Sequence, residues 1–374
     1  LPSGILFWRS ITHWIGGMGI IVLAIAILPL LGIGGMQLFS AEAPGPNGDK
    51  LHPRIADTAK RLWLIYVFFT ISEALMLHLA GMTIFDAINH AMSTMASGGF
   101  STKNESLAYW NHQPWIHYII IVFMFLAGSN FVLSYFAFSG KISRVLKDNE
   151  FITFFFFIIT CSLIVFGTLI YSVDLSNSSF EHPQVWGKFE SSLRHSIFQV
   201  LAIITTTGFV TSDYTSWTSF MTIFFFGLMF IGGSAGSTSG GVKIVRYLLM
   251  IKGALLEFKK SLHPNAIIQP RYNGKVVNQE ILGNIFTFFI LYVLSFILGS
   301  LVFGFFGLDF KNAIGVAAAC LGNVGPAIGD FGPSGNFSNL PSFGKFWASF
   351  LMLLGRLELF TVLILFTPFF WKKT

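Results

Sequence analysis

Charged side chains are scarce in this sequence. Asp, Glu, Lys and Arg make up 11% of its 374 residues, against roughly 25% in an ordinary soluble domain. That scarcity excludes a chain held in solution by its own surface. Cysteine is scarcer still: Cys161 and Cys320 are the only two, each in an apolar segment with no second cysteine or histidine at metal-ligand spacing. A disulfide framework and a zinc site are thereby excluded, and both thiols read as small buried hydrophobes. No nucleophile lies at a workable spacing from a base, so the sequence is not that of an enzyme.

Apolar residues, by contrast, account for 53% of the chain. Runs long enough to cross a ~30 Å hydrocarbon core at 1.5 Å per residue are predicted near 14–34, 62–82, 115–138, 151–173, 217–232, 281–307 and 346–371. That makes seven spans in one integral membrane domain. The net charge of +6 is carried where it would orient such a domain, with basic clusters at 50–61, 141–147 and 243–275 and at Lys372 and Lys373. Alternating topology places all of them on one side, and the positive-inside rule makes that side, and the C-terminus, cytoplasmic. The lipid bilayer accounts for the basicity, and no nucleic-acid partner is expected. The N-terminus then falls outside. Because "LPSGILFWRS" has neither an initiator methionine nor a signal-peptide pattern, something is expected to precede Leu1.

Between the long runs lie three shorter stretches, "FDAINHAMSTMASGGF" (85–100), "LRHSIFQVLAIITTTGF" (193–209) and "FKNAIGVAAACLGNVGP" (310–326). In each, an isoleucine is followed eleven positions later by a glycine: Ile88 by Gly99, Ile197 by Gly208, Ile314 by Gly325. A helix of about ten residues is only ~15 Å long, so it can dip into a bilayer and return but cannot cross it. The unit is therefore span, re-entrant loop, span, with 109 residues from Gly99 to Gly208 and 117 from Gly208 to Gly325. Repeats of this kind stack about a common axis. Counting back by the same interval places a fourth glycine before Leu1, so residues 1–34 read as the second half of a truncated first repeat.

The three dips end in "ASGGF", "TTTGF" and "GNVGP". Irregular backbone at membrane depth is tolerated only where it is buried in protein or lines water, and glycine permits conformations that a Cβ forbids. Strands of this type can turn carbonyl oxygens toward an axis and replace the hydration shell of a monovalent cation. The C-terminal, partially negative ends of the short helices favour a cation at the same place. The competing reading, interfacial turns that merely close helix hairpins, does not account for the shared spacing.

The returning span of the third unit is interrupted by "IGGSAGSTSGG", which begins 23 residues after Gly208. Gly128 and Gly355 mark weak points at similar depth in the second and fourth units, but only the third is expected to be broken over some ten residues. A flexible loop beneath a filter is placed to obstruct it. Two rival readings exist. Gly232, Gly236 and Gly240 fit a small-residue helix-packing pattern, and Gly232 to Gly236 match the G-x-S-x-G elbow of serine hydrolases, which requires a preceding strand that is missing here. Lys243 closes the loop, as its anchor or as its cytoplasmic end. Arg356, in "FLMLLGRLELFTVLILF", puts a permanent charge inside a span, where it must face protein or water; below a filter it would oppose a cation by ~1–4 kcal/mol. Its bland alternative is a pair with Glu358, although residues two apart do not face each other on a helix. Glu73 and His78 are candidates for proton handling or for packing, and His13 and His90 are read as packing.

These residues carry a family resemblance. "WRSITHWIGGMGIIVLAIAILPLLGIGGMQLFSAEAPGP", "ASGGFST", "ITTTGFVTSDY", "GGSAGSTSGGVKIVR", "CLGNVGP" and "GRLELFTVLILFTPFFW" resemble the TrkH/TrkG family, the membrane subunits of bacterial Trk potassium uptake systems, from Leu1 to Trp371. KtrB subunits share the architecture, but "AEAPGP" and "STSGGVK" are more similar to the TrkH type. The resemblance implies an all-α integral membrane fold with repeated span, pore-loop, span units around a pseudo-fourfold pore, the first repeat truncated. It also implies potassium ion as the transported species, the bacterial inner membrane as location, a homodimer, and a cytosolic nucleotide-binding regulatory ring, TrkA. By that analogy the backbone of Ser97, Gly98, Gly99, Thr206, Thr207, Gly208, Asn323, Val324 and Gly325 forms the potassium filter. Gly232, Gly233, Ser234, Gly236, Ser237, Gly240, Gly241 and Lys243 belong to the gate, and Arg356 is the basic residue below the filter.

The expected boundaries are 1–60 for the end of repeat 1 and its connector, 61–150 for repeat 2, 151–262 for repeat 3, 263–280 for a cytoplasmic hairpin and 281–374 for repeat 4. Asn273-Gly274 between alternating apolar residues is the signal for a two-residue turn in that hairpin. With the basic helix 243–262, the hairpin offers a docking surface for the ring. The alternative function is a cation-coupled secondary transporter with discontinuous helices, for which Glu73 and Glu358 are the only candidate intramembrane carboxylates.

Overall fold

The computed structural model describes residues 1–26, 55–173, 180–263, 269–277, 279–357 and 359–371. The "AEAPGP" segment, residues 27–34 of the first predicted span, Lys50, Arg54, Glu358, Lys372 and Lys373 lie outside the described residues.

A backbone surrounded by hydrocarbon has to satisfy its own hydrogen bonds, and the apolar sequence is accordingly helical. The helices are α1 (Ser3–Ala26), α2 (Ile55–Leu79), α3 (Ile84–Met95), α4 (Pro114–Gly128), α5 (Phe131–Phe138), α6 (Ile142–Leu146), α7 (Asn149–Ser172) and α8 (Lys188–Ile204). They continue with α9 (Ser219–Leu228), α10 (Ile244–Leu262), α11 (Gln279–Phe305), α12 (Phe310–Gly322), α13 (Ser342–Arg356), α14 (Phe360–Leu363) and α15 (Pro368–Trp371). Two short strands, β1 (Arg271–Tyr272) and β2 (Lys275–Val276), pair antiparallel across the predicted Asn273-Gly274 turn. Both turn residues take left-handed conformations, at φ 47° and 78°.

Among the described residues, three helices are long and apolar enough to cross a membrane, Ala59–Leu79 of α2 and the whole of α7 and α11, or up to five spans if each bent helix pair is one. Their outward faces are as apolar as their inward ones. On α11, Ile290, Leu294, Leu298 and Leu301 form a row more than half exposed, while Ile285, Phe288, Tyr292 and Phe303 are buried. Such a row is stable only against lipid.

The shorter helices are buried instead. In α12 every residue from Val316 to Gly322 is inside, because its glycines and alanines let neighbours approach closely. A triangle of contacts joins α2, α3 and α4 and again α11, α12 and α13, and in the unit between them α8 packs on both α7 and α9. Helix α1 packs on α2 and α3. Caps start several helices, with the side chains of Thr83, Asp148 and Thr218 accepting from Asp86 N, Phe151 N and Met221 N.

Two expectations are corrected. The short helix of the third unit begins at Lys188 and has 17 residues, about 25 Å at 1.5 Å per residue, longer than expected though still short of a span. The run 115–138, expected only to weaken at Gly128, is broken, with α4 and α5 meeting at 107°, so the third returning span is not alone in being broken. The cause is tertiary. Gly128 O, which would otherwise accept from the next turn of helix, accepts from Ser234 N at 2.9 Å, and Asn130 Oδ1 caps α5 by accepting from Val132 N at 2.8 Å. In the fourth unit α13 stops at Arg356 and α14 starts at Phe360; in the third the gap between α9 and α10 runs from Met229 to Lys243, the longest of the three.

Candidate ion-conduction site

The segments that follow α3, α8 and α12 share one backbone signature. Ser97, Thr206 and Asn323 have φ of 52°, 54° and 56°, and the glycines two residues later, Gly99, Gly208 and Gly325, have φ of 67°, 76° and 107°. Left-handed backbone at a residue with a Cβ is uncommon, so three instances at one offset point to a shared constraint. Each segment turns off its helix by the same kind of bond: Ser97 N to Thr94 O at 2.9 Å, Thr206 N to Ile203 O at 2.9 Å, Asn323 N to Cys320 O at 3.1 Å.

The three segments nest. A Cβ on Gly99 would overlap Thr207 O, and one on Gly208 would overlap Val324 O; the nearest atom to a Cβ on Gly325 is Gly208 Cα, at 3.9 Å. The carbonyl of each following segment thus occupies the space that the preceding glycine leaves. Beside them lies a cavity of 410 Å³ lined by Ser97, Gly98, Thr206, Asn323, Val324 and Gly325, and also by Arg356 of α13 and by His13, Gly16 and Gly17 of α1. His13 therefore does more than pack: it stacks on Phe100 at 4.7 Å between ring centroids and borders the cavity.

Residues 232–242 form a loop whose neck is closed by Gly232 N donating to Val242 O at 2.8 Å. Since Gly232, Gly236 and Gly240 are not helical, they make no helix-packing face. The loop lies against the nested segments, where Gly240 N donates to Thr206 Oγ1 at 2.6 Å and Thr238 Oγ1 meets Ser97 Oγ at 3.0 Å. Arg356 Nη1 donates to Thr238 O at 2.8 Å, and the Lys243 ammonium folds back to donate to Ser239 O at 2.5 Å. Ala235 N donates to Glu150 Oε1 at 2.6 Å. Ser234, Ser237, Thr238, Ser239 and Lys243 are all buried.

Sequence reasoning missed Thr238 and Glu150. Thr238 was legible as a hydroxyl inside the glycine loop, and Glu150 as an acidic residue at the head of an apolar span. Among residues it did name, Glu73 is fully buried and His90 is held between Asp86 O at 2.7 Å and Ser101 Oγ at 2.9 Å. Among the described residues no three His, Cys, Asp or Glu side chains converge to hold a metal ion, so an ion at this site would be met by backbone and hydroxyl oxygens.

Near the segment that follows α8 runs a histidine network. His182 Nδ1 meets His195 Nε2 at 3.3 Å, His195 Nδ1 meets Thr211 Oγ1 at 2.9 Å, and His182 Nε2 meets Ser212 Oγ at 3.2 Å. Burial, and then the Arg194 guanidinium, push the His182 imidazole down to about 4. The folded chain holds His182 neutral in a window where the unfolded chain, titrating near 6.5, is protonated. The unfolded state therefore binds more protons between pH 6.5 and 4, and stability is lost as pH falls through that window. Thermal unfolding in detergent should show a midpoint that drops from pH 6.5 to 4, and His182→Gln should make that drop shallower. An unchanged slope would assign the effect to other groups.

The family described as TrkH, cation transport protein, matches residues 1–373. The chain is 41% identical over 379 residues to the Trk system potassium uptake protein TrkH of Escherichia coli (strain K12), covering 100% of this chain and 75% of the relative. It is 38% identical to the Trk system potassium uptake protein TrkG of the same strain, covering 100% of this chain and 74% of the relative. The crystal structure of the potassium transporter TrkH from Vibrio parahaemolyticus matches with a TM-score of 0.85 at 38% identity, over 100% of this chain and 74% of that one.

Proposed function

Because this chain belongs to the TrkH family of cation transport proteins, a family of membrane transporters and not of enzymes, we propose that it takes up potassium through a channel-like pore. The observation that supports this reading most is the nesting of three left-handed segments, each ending in glycine. Main-chain oxygens of Ser97-Gly98-Gly99, Thr206-Thr207-Gly208 and Asn323-Val324-Gly325 stand in for water around the ion as it passes. The 410 Å³ cavity gives it room beside them, and the negative ends of α3, α8 and α12 lower the cost of stripping its hydration shell.

Loop 232–241 is the gate. Its bonds to Ser97 and Thr206 hold it against the segments that carry the ion. Arg356 both fastens it, through Thr238 O, and places a positive charge on the ion's route. The protein works in the bacterial inner membrane as a homodimer with a cytosolic nucleotide-binding ring, as its resemblance to Trk membrane subunits implies. The proposed repeats are 61–150, 151–262 and 281–374.

Flux in proteoliposomes supplied separately with potassium and with sodium tests this reading. Potassium should enter down its own gradient and faster than sodium. Equal rates would remove the filter, and uptake that required the gradient of a second ion would favour a cation-coupled transporter.

A further inference from the structure

We propose that Glu150 is a positioning residue through which the β1–β2 hairpin sets the conformation of loop 232–241. The inference rests on the reading of that loop as a gate.

The hairpin is gripped at its tip. Asn273 Oδ1 accepts from Asn149 N at 2.8 Å, and Asn273 Nδ2 donates to Asp148 Oδ2 at 2.7 Å. Both partners belong to the first turn of α7, where Asp148 also caps the helix by accepting from Phe151 N at 2.9 Å. The next residue of that turn, Glu150, is 2% exposed and divides its carboxylate between two elements. One oxygen accepts from Ala235 N at 2.6 Å and the other faces the Tyr272 hydroxyl at 3.5 Å. Tyr272, from β1, is itself buried and shares an apolar cluster with Ala235 and with Val245 and Leu249 of α10.

A buried carboxyl group has to keep its polar atoms occupied, and a short hydrogen bond from a backbone N–H is strongly directional. Ala235 therefore follows Glu150, and Glu150 follows the hairpin seated on its helix turn. Three residues further on, Thr238 meets Ser97 and Arg356. A partner that lifts the hairpin pulls at one end of this line, and the loop under the nested segments responds at the other.

The test uses the full chain with four variants. Asn273→Gly keeps the left-handed turn but removes both grips. Glu150→Ala removes the link, Glu150→Gln retains an acceptor for Ala235 N, and a double variant combines Asn273→Gly with Glu150→Ala. Hydrogen–deuterium exchange of peptides covering 232–241 should quicken roughly tenfold in Asn273→Gly and in Glu150→Ala, and much less in Glu150→Gln. Basal potassium flux should shift about three- to tenfold in the same two variants, and the double variant should add little to either. Monodisperse elution controls for folding. Loop exchange unaltered by Asn273→Gly, or additive effects in the double variant, would overturn the coupling. Altered exchange with unaltered flux would uphold the link and refute the loop as gate, so the two failures are distinguishable.

Discussion

Gly208→Ala is expected to reduce the preference for potassium over sodium at least tenfold while leaving a folded protein. The glycine has φ of 76°, and an added Cβ would overlap Val324 O and stand 3.1 Å from Pro326 Cδ. Val324 cannot easily retreat. It is 1% exposed, and its amide is tied to Ala319 O at 2.9 Å. The displaced carbonyl is one of those proposed to replace the ion's hydration, and a loss of ~1.4 kcal/mol in discrimination corresponds to tenfold. Gly140→Ala is the control. Gly140 has a similar φ of 74°, but nothing lies within 4 Å of its Cβ position, so it carries the same backbone penalty of ~1–2 kcal/mol without the collision. Its selectivity should equal that of the parent. Uptake ratios measured in proteoliposomes decide the matter, and a parental ratio in Gly208→Ala would take Gly208 out of the filter.

Removal of Gly236 to Thr238 is expected to raise basal flux by about tenfold or more, the change that accompanies ~1.4 kcal/mol lost from a closed state. The deletion takes away the Thr238 contacts with Ser97 Oγ, Arg356 and Ala127 O and draws the loop back from the nested segments. The neck bond between Gly232 and Val242 survives, so α10 should still follow in place. Flux measured without any regulatory partner isolates the effect. A chain still equally closed would leave the loop as packing alone.

The nested segments and the hairpin were largely legible in the sequence, for local reasons. A constant isoleucine-to-glycine spacing located Gly99, Gly208 and Gly325, since helix length and the position of a left-handed residue are set by nearby chain. Asn273-Gly274 predicted its own turn, because few other pairs adopt two successive positive φ values. The left-handed state of Ser97, Thr206 and Asn323 was not legible, as three chemically unlike side chains share it and only the backbone makes them equivalent. At Gly128 the sequence showed a weak point but not a full break, which follows from a bond to Ser234, far along the chain. Glu150 stood out only as an acidic residue at the head of an apolar span; its role did not, because its partner is a main-chain amide 85 residues away, and a backbone group leaves no mark in sequence.

The nesting of Gly99 against Thr207 and of Gly208 against Val324 also bears on biogenesis. The first two segments are each walled by one that leaves the ribosome more than a hundred residues later, so neither can take its final form before that later segment is made. On the proposed reading, an ion path of defined bore would arise only when the segment after α12 has entered the bilayer and closed on its predecessors. Nascent chains would on this account remain impermeable, and the cell's membrane potential would be spared during their insertion.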